Sequence, residues 1–185
     1  MFEVVTQWDF NILYWIQETI RTPFLDSFCA MLSYAFEAGF LWIVTAVVLI
    51  AFRKTRVAGV SLLCSMLLAL LIGELGLKNI ICRERPCVVD SSVALAIPAP
   101  SSYSFPSGHT GSSFAAAGGI FAFNKKLGIP ALGLALLVGL SRMYLFVHFP
   151  TDVLAGAVLG ILCAFATYLI FTKTHLDRKL QSFGR

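Results

Sequence analysis

The sequence predicts an all-α protein: a polytopic transmembrane helix bundle of about five spans, preceded by amphipathic helices lying in the membrane interface. Two observations carry this. The chain is 58% hydrophobic and only 13% charged, with a mean hydropathy of +0.82 and 16 phenylalanines; soluble domains run at roughly 45–50% and about 25%. The apolar residues also gather into runs long enough to cross a bilayer, and the charges collect between the runs. At 185 residues the chain has room for one such bundle. Its net charge of +4 comes from short basic clusters at the ends of apolar runs. These read as topology signals, and no nucleic-acid partner is expected.

Three regions follow in order. Residues 1–30 form an amphipathic interfacial segment. "QWDFNILYWIQETIRTPFLDSF" mixes aromatics with Asp9, Glu18, Arg21 and Asp26 and is broken by Pro23. Trp8, Tyr14 and Trp15 suit anchoring at the headgroup level. No basic region and short apolar core mark a cleavable signal peptide, so none is expected. Residues 31–172 carry the spans, and residues 173–185 a cytoplasmic tail. The spans are expected at 31–52, 57–77, 106–123, 127–147 and 153–171. The second, "VAGVSLLCSMLLALLIGELGL", has 21 residues, about 32 Å as a helix. The third is rich in Gly, Ala and Ser, which suits close contact inside a bundle better than contact with lipid.

Five spans place alternate loops on opposite sides. Nine Lys and Arg residues fall on one side (Arg53, Lys54, Arg56, Lys125, Lys126, Lys173, Arg178, Lys179 and Arg185) and five on the other. The positive-inside rule makes the first side cytoplasmic, so the N-terminus is outside. Of the five cysteines, Cys64 and Cys163 lie in apolar runs, and Cys82 and Cys87 flank "RERP". The sequence leaves a disulfide between those two open. No His/Cys spacing fits a zinc pattern, and acidic residues are too sparse for a metal cage; no metal and no cofactor are expected.

The unusual residues fall at the outer ends of the spans. Lys78, Arg83 and Arg85 follow the second, His109 opens the third, Arg142 lies in the last turns of the fourth, and His148 and Asp152 lie in the turn into the fifth. A lone Arg142 could snorkel to the surface. Lys78, Arg85 and Arg142 together, with few acids nearby, form a cationic cluster that wants an anion, and phosphate matches Arg forks and Lys point charges. Before His109, Ser107 is an N-cap candidate and Gly108 permits close backbone approach; free N–H groups at a helix start bind anions. His148 and Asp152 are four apart, so near-helical chain would let the carboxylate reach one imidazole nitrogen and leave the other as nucleophile. A surface His beside a helix-capping Asp is the plainer alternative. Glu74, four residues before Lys78, is in the favourable order for an ion pair that would hold the lysine; a purely structural contact is the other reading.

These residues resemble a known family. "KNIICRERP" (Lys78–Pro86), "PSGH" (Pro106–His109) and "SRMYLFVHFPTD" (Ser141–Asp152) are similar to the three signature blocks of the type 2 phosphatidic acid phosphatase superfamily, with every fixed position present and in order. Residues 1–77 carry no matching motif. The resemblance implies a metal-independent, integral-membrane lipid phosphatase of the bacterial plasma membrane. Its site would face outward and act on a lipid phosphate drawn from the membrane lipids, with undecaprenyl diphosphate or phosphatidylglycerophosphate favoured and phosphatidic acid an alternative. It implies His148 as nucleophile forming a phosphohistidine, Asp152 as its orienting partner, and His109 as acid to the leaving oxygen and then base to water. Lys78, Arg85, Ser107, Gly108 and Arg142 would hold the phosphoryl oxygens. Soluble vanadium haloperoxidases share these residues, but five apolar runs argue against that activity. A non-catalytic protein binding lipid headgroups would need neither histidine.

Overall fold

The computed structural model describes residues 2–182, with side chains from residue 6 onward, and these are helical with no strand among them. The order is α1 Phe2–Trp15, a π turn Ile16–Ile20, α2 Pro23–Ala35, a 3-10 turn Glu37–Gly39, α3 Phe40–Ala51 and α4 Arg56–Ala69. From α4 the chain continues through a π segment, Leu70–Leu77, into α5 Lys78–Ile81. α6 Pro86–Val89, α7 Gly108–Phe123, α8 Lys125–Tyr144, α9 Pro150–Lys173 and α10 Leu176–Ser182 complete it. Pro23 starts α2, at a position where its missing N–H costs nothing, and the Thr22 hydroxyl accepts from Leu25 N–H. The 30/31 division drawn from sequence falls inside that helix.

Three helical stretches are long and apolar enough to cross a membrane: Arg56–Val89, Lys125–Tyr144 and Pro150–Lys173. The α2 and α3 region makes a fourth if it is one span bent by 47°. The third expected span, 106–123, is α7, whose 16 residues reach only about 24 Å. The expected first span, 31–52, is interrupted: the helix stops at Ala35, and Ala38 and Gly39 take φ values of 49° and 73° before α3 begins. Hydropathy carries the apolar run across Glu37, because it does not register a left-handed backbone. A Cβ on Gly39 would also strike the end of Met66, so the kink sits tight against α4.

α7 is the centre of the bundle, packed on α4, α8 and α9. Its small residues explain this. Ala115, Ala116 and Ala117 are fully buried, and a Cβ on Gly160 of α9 would lie 2.5 Å from Gly111 O and 2.7 Å from Ala115 N. Backbones this close require glycine. Trp42 of α3 reaches in and donates from Nε1 to Ser113 Oγ at 2.9 Å.

At one end of the bundle α1 docks on the loop between α8 and α9. Phe10 meets Phe149 edge-on, with ring centroids 5.1 Å apart, and lies 6.4 Å from Phe146. Phe146 holds φ at 58°, an uncommon value for a bulky residue, and is almost fully buried. Trp8 and Trp15 are exposed, and Tyr14 OH donates to Asp90 at 2.7 Å.

Candidate active site

A cavity of about 870 Å³ opens at this end. Lys78, Arg85, Ser107, Gly108, His109, Arg142 and His148 all line it, and so does Glu74. Asp152 stands behind His148, out of contact with solvent. Segments separated by more than sixty residues therefore meet at one level because α5, the start of α7, the end of α8 and the start of α9 share an end of the bundle.

Arg85 is the most tied of the cations. Its Nε donates to Ser102 O at 2.7 Å, Nη2 to Ser102 Oγ at 3.1 Å and to Tyr103 O at 3.2 Å, and Nη1 to Val147 O at 2.8 Å. Nη1 also lies 2.9 Å from His148 Nε2. Guanidinium has no acceptor, so Nε2 is the acceptor and the proton of neutral His148 resides on Nδ1. Burial holds this imidazole well below the usual histidine range, which keeps it neutral at physiological pH.

Asp152 does not reach His148 as directly as the four-residue spacing suggested. Nδ1 and Asp152 Oδ2 are 3.7 Å apart, too long for a hydrogen bond. The chain at 145–149 is not helical, and α9 starts only at Pro150. Ser104 fills the gap: its Oγ donates to Oδ2 at 2.5 Å and lies 3.4 Å from Nδ1. Asp152 also accepts from Phe149 N–H at 2.9 Å, so one carboxylate both caps α9 and faces the imidazole through a hydroxyl.

Arg142 is buried, and its Nη1 donates to Ser33 Oγ at 2.5 Å. Its Nε has no hydrogen-bond partner among the described residues. An orphaned guanidinium N–H in a buried position is costly unless the cavity it lines receives an acceptor. Lys78 is 5% exposed and donates to Glu74 Oε1 at 2.7 Å, the ion pair expected from the spacing. The Glu74 carboxylate also rests against Gly108, where an added Cβ would collide with Oε1. His109 donates from Nε2 to Ser33 O at 3.2 Å and lies 3.5 Å from Glu37.

One expectation changes, and one question left open by the sequence is answered. Ser107 occupies the N-cap position of α7 without capping it; its hydroxyl pairs with Thr110 Oγ1 at 2.9 Å. Cys82 and Cys87 are both free thiols, one exposed and one buried. Four neighbours of the site were not singled out from sequence: Ser33, Glu37, Ser104 and Asp9. Each lies far in sequence from what it touches, and none sits in a motif. Among the described residues no group of three or more His, Cys, Asp or Glu converges on a point that could hold a metal ion.

The bundle and its cavity define an integral membrane protein of all-helical class, with buried cations and two imidazoles gathered at one end. A family model described as the PAP2 superfamily matches residues 58–176, and the chain belongs to that superfamily. An undecaprenyl-diphosphatase of Sulfolobus acidocaldarius is 34% identical over 132 residues, covering 71% of this chain and 64% of that protein. The chain thus spans just under two thirds of that relative's length. A transmembrane PAP2 type phosphatidylglycerolphosphate phosphatase from Bacillus subtilis superposes with a TM-score of 0.73 at 29% identity, covering 97% of this chain and 89% of that one. Aquifex aeolicus LpxE gives the same TM-score at 28% identity, covering 85% and 93%.

Proposed function

We propose that this protein hydrolyses a phosphomonoester or diphosphate of a membrane lipid through a phosphohistidine on His148, with undecaprenyl diphosphate or phosphatidylglycerophosphate as substrate. The observation that carries this is the buried Arg142, with an unpartnered Nε, lining one cavity with Lys78, Arg85 and both histidines. The same cavity is lined further along by Ile43, Leu67, Leu70 and Leu159. A polar end and an apolar extension suit a phosphate carried on a hydrocarbon tail. The relatives' names support both lipids.

In the first step His148 Nε2 attacks phosphorus, and the bond from phosphorus to the lipid oxygen breaks. His109 gives that oxygen its proton. Arg85 Nη1 leaves Nε2 for a phosphoryl oxygen as the new bond forms. Lys78, Arg142, the Ser107 hydroxyl and the Gly108 N–H hold the remaining oxygens and the charge that grows on them. Asp152, through Ser104, keeps the Nδ1 proton facing away from phosphorus. In the second step His109 takes a proton from water, the oxygen attacks phosphorus, the N–P bond breaks, and inorganic phosphate leaves. By the positive-inside reading the site faces the outer side of a bacterial plasma membrane and the C-terminus is cytoplasmic.

The test is phosphate release by purified protein against a panel of lipid mono- and diphosphates in the presence of EDTA. Release by the wild type that disappears in His148→Ala is expected. Release at the wild-type rate by His148→Ala overturns the mechanism, and no release from any lipid by the wild type leaves the headgroup-binding alternative.

A further inference from the structure

The cations of this end divide into two sets. Lys78, Arg85 and Arg142 line the cavity, whereas Arg83 points the other way and is enclosed by acids. Arg83 Nη2 donates to Asp9 Oδ2 at 2.7 Å, and Nη1 donates to Asp152 Oδ1 at 2.7 Å and to Thr151 Oγ1 at 2.7 Å. Its guanidinium lies over the Phe149 ring, 3.9 Å from the centroid. Asp9 is 2% exposed, although it sits on α1, at the edge of the molecule. It also accepts from Thr151 N at 3.1 Å and from Thr151 Oγ1 at 2.6 Å. Burying a carboxylate is expensive unless it is paired; here α1 carries one to the back of the nucleophile's support, 74 residues away from Arg83 and 142 from Thr151.

We infer that Asp9 and Arg83 are positioning residues, and that they act through Asp152 on the breakdown of the phosphohistidine. This rests on the phosphohistidine reading above. Asp152 has both oxygens engaged: Oδ1 by Arg83, and Oδ2 by Ser104 Oγ and Phe149 N. A carboxylate held in this way accepts from the Ser104 hydroxyl that lies against Nδ1, without drawing the Nδ1 proton through it. When Nε2 carries the phosphoryl group, the ring then keeps Nδ1–H and stays cationic. In the second step the N–P electron pair returns to a ring that bears a positive charge, so the imidazole leaves neutral. If Asp152 took the proton, water would have to displace an imidazolate-like group, a far poorer leaving group. Asp9 fixes the arginine that keeps Asp152 occupied, and Thr151 ties the two acids to the same turn of α9.

The experiment is a rapid quench of full-length protein in detergent with a lipid bearing labelled phosphate, counting base-stable, acid-labile label on the protein. Arg83→Gln is expected to lower kcat roughly ten- to a hundredfold, the scale of one lost charge-assisted hydrogen bond, while the labelled fraction during turnover rises. Arg83→Lys restores part of both, and Asp9→Asn shifts them in the same direction by less. A folded Arg83→Gln protein, checked by monodispersity and Tm, whose labelled fraction is unchanged or lower overturns the inference, because a merely structural loss slows uptake and breakdown together. The underlying reading fails differently. It fails if the label on the protein persists unchanged in His148→Ala, whose attacking nitrogen is gone, and the inference falls with it.

Discussion

Two arginines two residues apart in "RERP" lead opposite lives. Arg85 faces the cavity and spends one N–H on the Nε2 lone pair of His148, the proposed nucleophile. Arg83 faces away and is locked between two buried carboxylates. Arg142 extends the contrast, since it is as buried as any of them and still has an N–H without a partner. What separates them is whether the positive charge already has its anion. Of these three arginines, the one paired with carboxylates belongs to the frame, and the two without a carboxylate face the cavity.

The contrast can be broken at several points. The largest effect belongs to the residue between the two sets. His148→Ala is expected to reduce phosphate release on the order of 10⁴-fold or more, with Tm little changed, measured by initial rates and thermal unfolding. On the cavity side, Arg142→Gln is expected to lower kcat/KM about a hundred- to a thousandfold without raising the labelled phosphoenzyme. A variant that instead accumulated label would place Arg142 with Arg83. On the frame side, Arg83→Gln carries the smaller loss and the raised label described above. The smallest effect belongs to Glu74→Ala, roughly three- to tenfold, because Lys78 keeps its charge and loses only its tether. Unchanged kcat and KM there would show that the 2.7 Å ion pair is structural alone. The pH dependence sharpens the same picture. Burial depresses His148, so the nucleophile stays neutral as pH falls through about 6.5, the ordinary histidine value, and its protonation sets in only at lower pH. Loss of phosphoenzyme formation on acidification is therefore expected to set in only below that value, and a fall in rate as pH drops through about 6.5 would contradict a buried imidazole nucleophile.

The cavity side was far more legible in the sequence than the frame. Lys78, Arg85, His109, Arg142, His148 and Asp152 stand in motifs whose spacing can be read along the chain, and alternating spans bring them to one end. Glu74 was legible too, because a four-residue separation on a helix is a local fact. Asp9 stood only among the charges of the amphipathic N-terminal segment, and Ser33 and Ser104 stood in no motif. Their roles come from contacts across 48, 109 and 142 residues, which no periodicity encodes. The bundle was legible for a similar reason: hydropathy marks apolar length well. It missed the kink at Ala38 and Gly39, which is a matter of backbone torsion. The Gly, Ala and Ser content did place α7 inside the bundle, but hydropathy did not show that its 16 residues fall short of a bilayer's thickness.

The hydrogen bond from Arg85 to His148 Nε2 has a consequence for the order of events. In the proposed mechanism the lone pair that must meet phosphorus is covered at rest, so the nucleophile stays sheathed until substrate arrives. A neutral electrophile drifting into the cavity finds the nitrogen occupied. An anion draws the guanidinium onto itself and bares the imidazole in the same motion. Departure of inorganic phosphate lets the cover fall back. Recognition of charge then comes before reactivity, and the guard that admits the substrate also resets the site.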